Sequence, residues 1–233
     1  MDANIALPAA LIGEPARAAM LQALLGDRSL PATALAAAAG LSPQAASNHL
    51  ARLIDGALLS VVRQGRHRYY RLAGPEVAEA IEALSRLTPL PRPLDPPVSP
   101  LARRLREGRT CYDHVAGRLG VALADAFEAG GLIAADGPER YRLTETGRAK
   151  LEALGVDLAG PKRAARGPLR PCIDWTERRR HLAGPLAAAL LRRMVELRWI
   201  EREAGSRAAR LTAAGRAGLR AAFGLELEPA AAA

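Results

Sequence analysis

Two segments of this sequence combine a thiol with imidazole and carboxylate groups, and they are the parts best suited to chemistry. The first is RTCYDHVAG, residues 109–117, and the second is PCIDWTERRRHLAG, residues 171–184. Thiolate and imidazole are ligands for soft metal ions, and a pair of thiols can also form a reversible disulfide. The candidate sensor residues are Cys111, His114, Cys172, Asp174, Trp175 and His181.

Both cysteines are predicted to lie at the start of a helix. Thr110 and Asp113 have a spacing similar to a capping box, which would put Cys111 at the first helical position. Asp174 and its neighbours form a similar capping pattern after the second cysteine. The positive end of a helix favours the thiolate form. If the two repeats pair face to face, the thiols could meet; the sequence alone does not decide whether they do.

Several interpretations of the cysteines remain open. They form a reversible disulfide that acts as a redox switch, or they bind a soft metal or metalloid ion together with either histidine. Alternatively they are inert buried side chains, and a pocket beneath Tyr112, Trp175 and Trp199 binds an organic effector. No cofactor is firmly implied by these patterns.

A cysteine-dependent enzyme is the alternative from another functional class. Cys111 would be its nucleophile and His114 its base. Such a pair needs a third, orienting group and an oxyanion site. The sequence suggests only Asp113 for either role. The sequence has no Gly-rich nucleotide loop, no zinc-ligand spacing and no Gly-x-Ser-x-Gly elbow. The prediction is therefore that the chain is not an enzyme.

An internal repeat surrounds the two thiol segments. HVAGRLGVALADAF at 114–127 aligns with HLAGPLAAALLRRM at 181–194, and RLTETGRAKL at 142–151 aligns with RLTAAGRAGL at 210–219. Each unit is predicted to run helix, helix and strand pair, followed by a Leu-Thr-x-x-Gly turn into a final helix. This order predicts two degenerate winged-helix-like repeats in tandem. Neither is expected to recognise bases, because their second helices lack suitable polar side chains.

The segment 40–72 predicts a helix followed by a hairpin. Ser42 is a candidate N-cap, Pro43 suits the first helical position, and Gly56 ends the helix. Strands are predicted over 58–63 and 66–72. A helix with one polar face, followed by an arginine-rich hairpin, is typical of a winged helix-turn-helix, in which the helix enters the major groove.

The polar face of this helix and the hairpin supply the predicted DNA contacts. Amide, hydroxyl and imidazole groups on the helix are expected at base edges, and the arginines at phosphates or in the minor groove. The predicted contacts are Gln44, Ser47, Asn48, His49, Arg52, Arg63, Arg66 and Arg68.

Helices are also predicted over 5–12, 14–25, 30–39 and 74–87. The last carries an apolar seam that is interpreted either as a dimer surface or as packing against its own domain. The next segment, 88–100, holds six prolines in thirteen residues, which predicts a stiff, extended linker.

Residues 4–87 resemble the ArsR/SmtB-type family of winged-helix repressors. The resemblance is carried by Ser42, Ser47, His49, Leu50, Leu53, Gly65, Arg66, Tyr70 and Leu72. It implies a homodimeric, operator-binding repressor that an effector releases. Metal-sensing members carry cysteines on the helix before the recognition helix, or Asp/His pairs on the last helix. The corresponding segments here, ATALAAAAG and PEVAEAIEAL, have no cysteine or histidine, so the usual metal sites of that family are absent.

The amino-acid composition limits the classes of protein to which the chain can belong. The net charge of +9 is carried almost entirely by arginine, which favours a polyanionic partner. Only two cysteines occur in 233 residues, which favours a reducing cytoplasm, and neither a membrane span nor a secretory signal is expected.

The complete sequence-based prediction is a mainly α (α+β) regulator. The predicted parts are a winged-helix DNA-binding domain at 1–87, a Pro-rich linker at 88–100, repeats at 101–160 and 161–228, and a disordered tail at 229–233. The predicted partners are a double-stranded DNA operator, a second copy of the chain, and a small-molecule or oxidant inducer. An architectural DNA binder without an effector is the remaining alternative.

Overall fold

A computed structural model describes residues 4–26, 28–64, 67–87, 99–137, 140–159 and 169–227. The chain divides into two compact units, Met1–Ser85 and Arg86–Ala233. The predicted turn at Gly65 and Arg66, most of the predicted linker and the predicted tail lie outside the described residues. No helix in the described ranges has the length and hydropathy needed to cross a membrane.

The N-terminal part of the chain has the element order of a winged helix-turn-helix. The elements are α1 (Ala6–Ile12), α2 (Pro15–Leu24), β1 (Leu30–Pro31), α3 (Ala32–Ala38), α4 (Pro43–Asp55), β2 (Leu59–Gln64), β3 (His67–Leu72) and α5 (Pro75–Leu87). The three strands form an antiparallel sheet in the order β1-β3-β2. The predicted helices and hairpin are therefore confirmed to within one or two residues at their ends.

The largest difference from the prediction lies at the start of α3. The helix expected from residue 30 begins at Ala32, because Leu30 and Pro31 pair with Tyr70 and Tyr69 of β3 instead. Pro31 has the extended conformation of a residue just outside a helix, with φ −70° and ψ 159°. The tertiary pairing with the hairpin thus overrides the local helical pattern.

The core of the first unit lies where α2, α3 and α4 meet. Leu21 and Leu24 of α2, Leu35 of α3 and Leu53 of α4 are fully buried. Arg17, also buried, donates from Nε to the carbonyl oxygen of Leu11 at 2.7 Å and so satisfies the end of α1. This packing fixes α4 by one face and leaves its opposite face in solvent.

The second unit repeats the order hairpin, helix, hairpin, helix. Its elements are α6 (Pro100–Glu107), β4 (Arg109–Thr110), β5 (Val115–Ala116), α7 (Gly117–Ala129), β6 (Ile133–Ala135), β7 (Tyr141–Leu143), α8 (Glu145–Ala153), β8 (Arg170–Ile173), β9 (Arg180–Ala183), α9 (Pro185–Glu196), β10 (Ile200–Arg202), β11 (Ala209–Leu211) and α10 (Ala213–Phe223). Both series bury residues in one core, in which Phe127 contacts Phe223 with ring centroids 4.9 Å apart. That the two series are degenerate winged-helix units stays a prediction.

The Leu-Thr-x-x-Gly turns have the same geometry in both series. Thr144 and Thr212 each precede a helix, and each hydroxyl accepts a hydrogen bond from the backbone N–H three residues later. The glycines at these positions are required because a Cβ on Gly147 or Gly215 would lie 2.1 or 2.2 Å from a carbonyl oxygen. The repeated sequence motif therefore encodes a repeated helix start.

The predicted helix starts at the cysteines are wrong. Cys111 lies in the turn between β4 and β5, where its backbone N–H donates to the carbonyl of His114 at 3.0 Å. Asp174 accepts from the backbone N–H groups of Thr176 and Glu177, which imitates an N-cap, but the chain returns as β9. An aspartate makes the same hydrogen bonds in a turn as at a helix N-terminus, so the pattern alone does not separate the two.

Candidate DNA interface and thiol–imidazole cluster

Helix α4 presents a polar face to solvent. The Ser42 hydroxyl caps the helix by accepting from the backbone N–H of Ala45 at 3.3 Å, and Pro43 occupies the first turn as predicted. Ala46, Leu50 and Leu53 are buried on the inner face. The predicted contact residues exposed on this helix are Gln44, Ser47, Asn48 and Arg52.

Two of the predicted base contacts already have partners within the protein. The Ser47 hydroxyl donates to the carbonyl oxygen of Pro43 at 2.9 Å, so its oxygen remains available only as an acceptor. His49 Nδ1 lies 3.2 Å from Glu14 Oε2, and the His49 side chain is only 24% exposed. His49 is therefore better placed to position α4 against the start of α2 than to contact a base.

The hairpin formed by β2 and β3 carries arginines on both strands. Arg63 and Arg68 are exposed and stand opposite each other in the antiparallel register. Arg71 donates from Nε to the Ser60 hydroxyl at 3.2 Å. Arg66, the remaining predicted wing contact, lies outside the described residues. The described part of the wing thus offers cations suited to phosphate contact.

The second unit brings together the two cysteines and two of the histidines. One ligand atom from each of Cys111, His114, Cys172 and His181 lies within 4.8 Å of the other three. We call these four residues the thiol–imidazole cluster. Three of them are almost fully buried, with exposures of 1–3%, and Cys172 is half-buried. The sequence left open whether the two thiols meet; in the structure hairpins, rather than helix starts, bring them into one cluster.

Each hairpin supplies one cysteine and one histidine. Cys172 on β8 and His181 on β9 are partners in the strand register, and Cys111 faces His114 across the β4–β5 turn. Helix α7 lies close to β5 because Gly120 has no side chain; a Cβ there would lie 2.5 Å from the carbonyl oxygen of Val115. The cluster is thus built from residues separated by more than sixty positions, and it depends on the packing of both hairpins.

The two imidazoles point the same ring nitrogen at each other. The Nε2 atoms of His114 and His181 are 3.1 Å apart, and the rings stack with centroids 5.0 Å apart. On the outer side, His114 Nδ1 is 2.9 Å from Asp113 Oδ1, and His181 Nδ1 is 3.8 Å from Asp174 Oδ2. Asp113 can hold the proton on His114 Nδ1 and so favours the tautomer whose Nε2 lone pair is available to a ligand, whereas Asp174 lies behind His181 at more than hydrogen-bond distance.

A buried ion pair between Arg109 and Asp174 lies next to the cluster. Asp174 is fully buried, and its Oδ2 accepts from Arg109 Nη2 at 2.8 Å and from the Gly117 backbone N–H at 2.6 Å. The Arg109 guanidinium, on β4, lies 4.6 Å from the ring centroid of Trp175. Arg109 therefore joins the first hairpin to the second. Neither Arg109 nor Asp113 is among the sensor residues predicted from the sequence. The only feature of the sequence that points to them is their position, two residues before and two residues after Cys111.

The surroundings favour charged forms of the cluster. The pKa of Cys172 is lowered because the Cys111 thiol and both imidazoles hydrogen-bond to its thiolate and outweigh burial. Burial by itself lowers the pKa of His114, but hydrogen bonds with Asp113 and Cys172 raise it to about 9. Without a ligand, Cys172 and His114 thus form a thiolate–imidazolium pair.

Asp174 also keeps its charge inside the protein. Burial alone would raise the pKa of this carboxyl group, but the charge of Arg109 and hydrogen bonds from Thr176, Glu177 and Gly117 hold it well below its usual range. The buried pair of Arg109 and Asp174 is therefore ionised.

The tryptophans of the predicted organic pocket have different neighbours. Trp175 lies against the Arg109 guanidinium, whereas Trp199 packs on α10, where a Cβ on Gly218 would lie 2.2 Å from the indole ring. A shared effector pocket beneath them and Tyr112 stays a prediction. Trp175 acts instead as part of the packing around the ion pair.

Comparisons with known proteins agree with the N-terminal architecture. The family described as a helix-turn-helix domain matches residues 12–62, a range that includes all of α2, α3 and α4. The uncharacterized HTH-type transcriptional regulator YdfF of Bacillus subtilis (strain 168) is 39% identical over 217 residues, which is 93% of this chain and 95% of the relative.

Similar solved structures cover a smaller part of the chain. NolR from Sinorhizobium fredii is 30% identical and covers 35% of this chain and 81% of its own, with a TM-score of 0.33. The cadmium metal-sensor CMTR from Mycobacterium tuberculosis is 30% identical and covers 41% of this chain and 99% of its own, also with a TM-score of 0.33. The relative that aligns over nearly the full length, together with the helix and hairpin of the N-terminal part, shows that the chain belongs to the HTH-type transcriptional regulators with a winged helix-turn-helix.

Proposed function

We propose that this DNA-binding regulator is an operator-binding repressor whose affinity for DNA is controlled by a ligand of the thiol–imidazole cluster. The observation that carries the proposal is the convergence of four ligand atoms, two from cysteines and two from histidines, within 4.8 Å. Buried polar groups are costly to collect in one place unless they are used, because each must be desolvated and ordered. A set of donors this dense supports a binding site.

The exposed face of α4 supports sequence-specific DNA binding. Gln44 and Asn48 are side-chain amides that can hydrogen-bond to adenine edges, and Arg52 follows one turn after Asn48. Arg63 and Arg68 on the hairpin are placed for phosphate or the minor groove. The net charge of +9 adds a favourable electrostatic contribution that does not depend on base sequence.

Exposed apolar side chains support a homodimer. Ile5 and Leu7 at the start of the chain are 77% and 67% exposed, and Leu84 and Leu87 of α5 are 45% and 78% exposed. The predicted seam of α5 is thus only partly used within the chain, since Ile81 is buried whereas Ala80 and Leu84 are exposed. A second copy that covers these residues would also give the twofold symmetry that a palindromic operator requires.

The cluster favours metal binding over a simple disulfide switch. A disulfide needs only two thiols, but here two imidazoles share the site and each has a carboxylate behind it. A redox switch remains the second candidate, because the Cys172 thiolate has a second thiol as its neighbour and a low-pKa thiolate next to a resolving cysteine is oxidised readily.

The same geometry argues against the enzyme alternative. His114 has Asp113 at Nδ1, His181 at Nε2 and the Cys172 thiolate as a further hydrogen-bond partner, so its interactions are shared among the cluster and not directed at one nucleophile. Both nitrogens are therefore committed within the cluster. The architectural alternative predicts no change of DNA affinity with any effector.

The direct test is a titration of promoter DNA from upstream of the protein's own gene. The reduced apo-protein, the zinc-loaded protein and the oxidised protein are compared in one buffer at fixed ionic strength. We expect the apo-protein to bind the promoter tightly and at least one of the other two forms to bind it more weakly. Equal affinity in all three forms would disprove effector control.

Base recognition by α4 is tested by Asn48→Ala. We expect a loss of about 1–3 kcal/mol in discrimination between the promoter and unrelated DNA, because the amide would no longer pair with a base edge. The measurement is the ratio of the two dissociation constants at the same salt concentration. Gln22→Ala on α2 is the control, since Gln22 is exposed but lies on a different helix. An unchanged ratio for Asn48→Ala would remove this residue from the interface.

A further inference from the structure

We infer that the thiol–imidazole cluster is a closed, four-ligand site for one divalent ion of the zinc type, with Asp113 and Asp174 as positioning residues behind the two histidines. The inference specifies the ligand of the proposed effector site, and its regulatory meaning rests on the proposed function. The ion would be held by both thiolates and both Nε2 atoms.

The spacing of the donors fits one tetrahedral ion. With metal–nitrogen bonds of about 2.0–2.1 Å and metal–sulfur bonds of about 2.3 Å, tetrahedral ligands lie about 3.3 Å apart for two nitrogens and about 3.8 Å apart for two sulfurs. The two Nε2 atoms are 3.1 Å apart, and no pair among the four exceeds 4.8 Å. Closure around an ion therefore requires a contraction of at most about 1.3 Å at the widest pair.

The charge of the two thiolates indicates that the ion is divalent. Two thiolates neutralise a divalent cation, whereas a monovalent or trivalent ion would leave a net charge in a largely buried site. The charge of Asp174 does not alter this balance, because Arg109 already pairs with it at 2.8 Å. A trivalent metalloid bound by thiolates alone would need a third one, and the chain has only two cysteines. Magnesium and calcium prefer oxygen ligands, which the cluster does not offer.

The carboxylates supply the outer contacts that metal-binding histidines need. Asp113 accepts from His114 Nδ1 at 2.9 Å and fixes the tautomer in which Nε2 binds the ion. His181 Nδ1 is buried and has no hydrogen-bond partner in the described structure, and Asp174 Oδ2 is 3.8 Å away. Asp174 thus lies between its buried ion pair with Arg109 and the outer nitrogen of His181.

The position of the site explains how an ion would change the protein. Its ligands come from two hairpins, and Asp174 also accepts from the backbone N–H of Gly117, the first residue of α7. An ion therefore ties β8 and β9 to the β4–β5 turn and to the start of α7. Since only the folded arrangement brings the four donors together, loading must stabilise the second unit.

The test uses cobalt(II) as a spectroscopic probe for the divalent site in the reduced, full-length protein. We expect one cobalt ion per chain, the intense visible bands of a tetrahedral ion, and a sulfur-to-cobalt charge-transfer band that zinc abolishes by displacement. Cys111→Ser should weaken the charge-transfer band. Asp113→Asn and Asp174→Asn should keep the tetrahedral spectrum but lower the affinity about 10–100-fold, because the outer carboxylate is lost.

Two controls keep the result interpretable. Asp125→Asn changes an exposed aspartate that pairs with Arg179, so its cobalt affinity should equal that of the wild type. Asp113 is 36% exposed, so Asp113→Asn remains a test even if Asp174→Asn, which changes a fully buried group, fails to fold. An octahedral spectrum, no cobalt binding, or an unchanged affinity in Asp113→Asn would overturn the inference.

The outcomes also separate the inference from the proposed function. If cobalt and zinc bind tetrahedrally but promoter affinity does not change, the result supports the metal site and disproves effector control. If an oxidant or arsenite releases promoter DNA while neither divalent ion binds, effector control stands and the inference is overturned.

Discussion

Arg109→Met is expected to lower the free energy of unfolding of the second unit by about 3–5 kcal/mol, because it leaves a buried carboxylate without its cation. Arg109 and Asp174 are 1% and 0% exposed, and their atoms are 2.8 Å apart. Methionine preserves much of the side-chain volume, so the effect comes mainly from charge. Loss of the contact with the Trp175 ring adds a smaller contribution.

Arg104→Met is the matched control for this prediction. Arg104 makes two hydrogen bonds to Glu203, both at 3.0 Å, but its side chain is 50% exposed and that of Glu203 is 38% exposed. An exposed pair of this kind contributes only about 0–1 kcal/mol. A similar loss in both variants would contradict the argument from burial.

Tryptophan fluorescence measures the unfolding of the second unit selectively. The chain contains two tryptophans, Trp175 and Trp199, and both lie in that unit. Denaturant titrations followed by fluorescence, with metal removed by a chelator, therefore give the stability change without a contribution from the DNA-binding unit.

The double substitution Cys111→Ser/Cys172→Ser is expected to abolish the response of promoter binding to zinc. A typical coupling between two sites changes affinity about 5–150-fold, and the variant should reduce that factor to one. The reason is that the hydroxyl group replaces both thiolates and leaves two imidazoles to hold the ion. The measurement is the dissociation constant for promoter DNA with and without zinc.

The apo form supplies the control for this substitution. Chelator-treated wild-type protein and the double variant should bind the promoter with equal affinity, since the thiols are remote in sequence from α4 and the wing. Retention of a full zinc response in the double variant would show that the effector acts elsewhere. A lost response together with weaker binding of the apo form would mean that the thiols also serve folding.

The recognition helix could be predicted in detail because its signals are local. Ser42, Pro43 and Gly56 mark its ends within the sequence itself, and the spacing of Leu50 and Leu53 identifies the buried face. The resulting helix agrees with the prediction at both ends. The contact of His49 with Glu14 was not predictable from α4 alone, since Glu14 precedes another helix.

Only the identities of the residues in the cluster could be predicted from the sequence. The sequence analysis identified the four ligands. His114 and His181 hold equivalent positions in the internal repeat, sixty-seven residues apart, and they also contact each other in the fold. The local structure around them was predicted wrongly, because the turn after Asp174 makes the hydrogen bonds of a helix start. Arg109 and Asp113 gained their roles only from contacts across the two hairpins.

The sequence by itself therefore determined the helix-turn-helix, the wing and the inventory of candidate ligands. These depend on caps, turn residues and the period of apolar side chains, all of which act within a few positions along the chain. The tertiary structure decided that both thiols and two imidazoles share one site and that a buried ion pair lies behind it. Those contacts link residues more than fifty positions apart, and they exist only because Asp174 on the second hairpin is packed against the first.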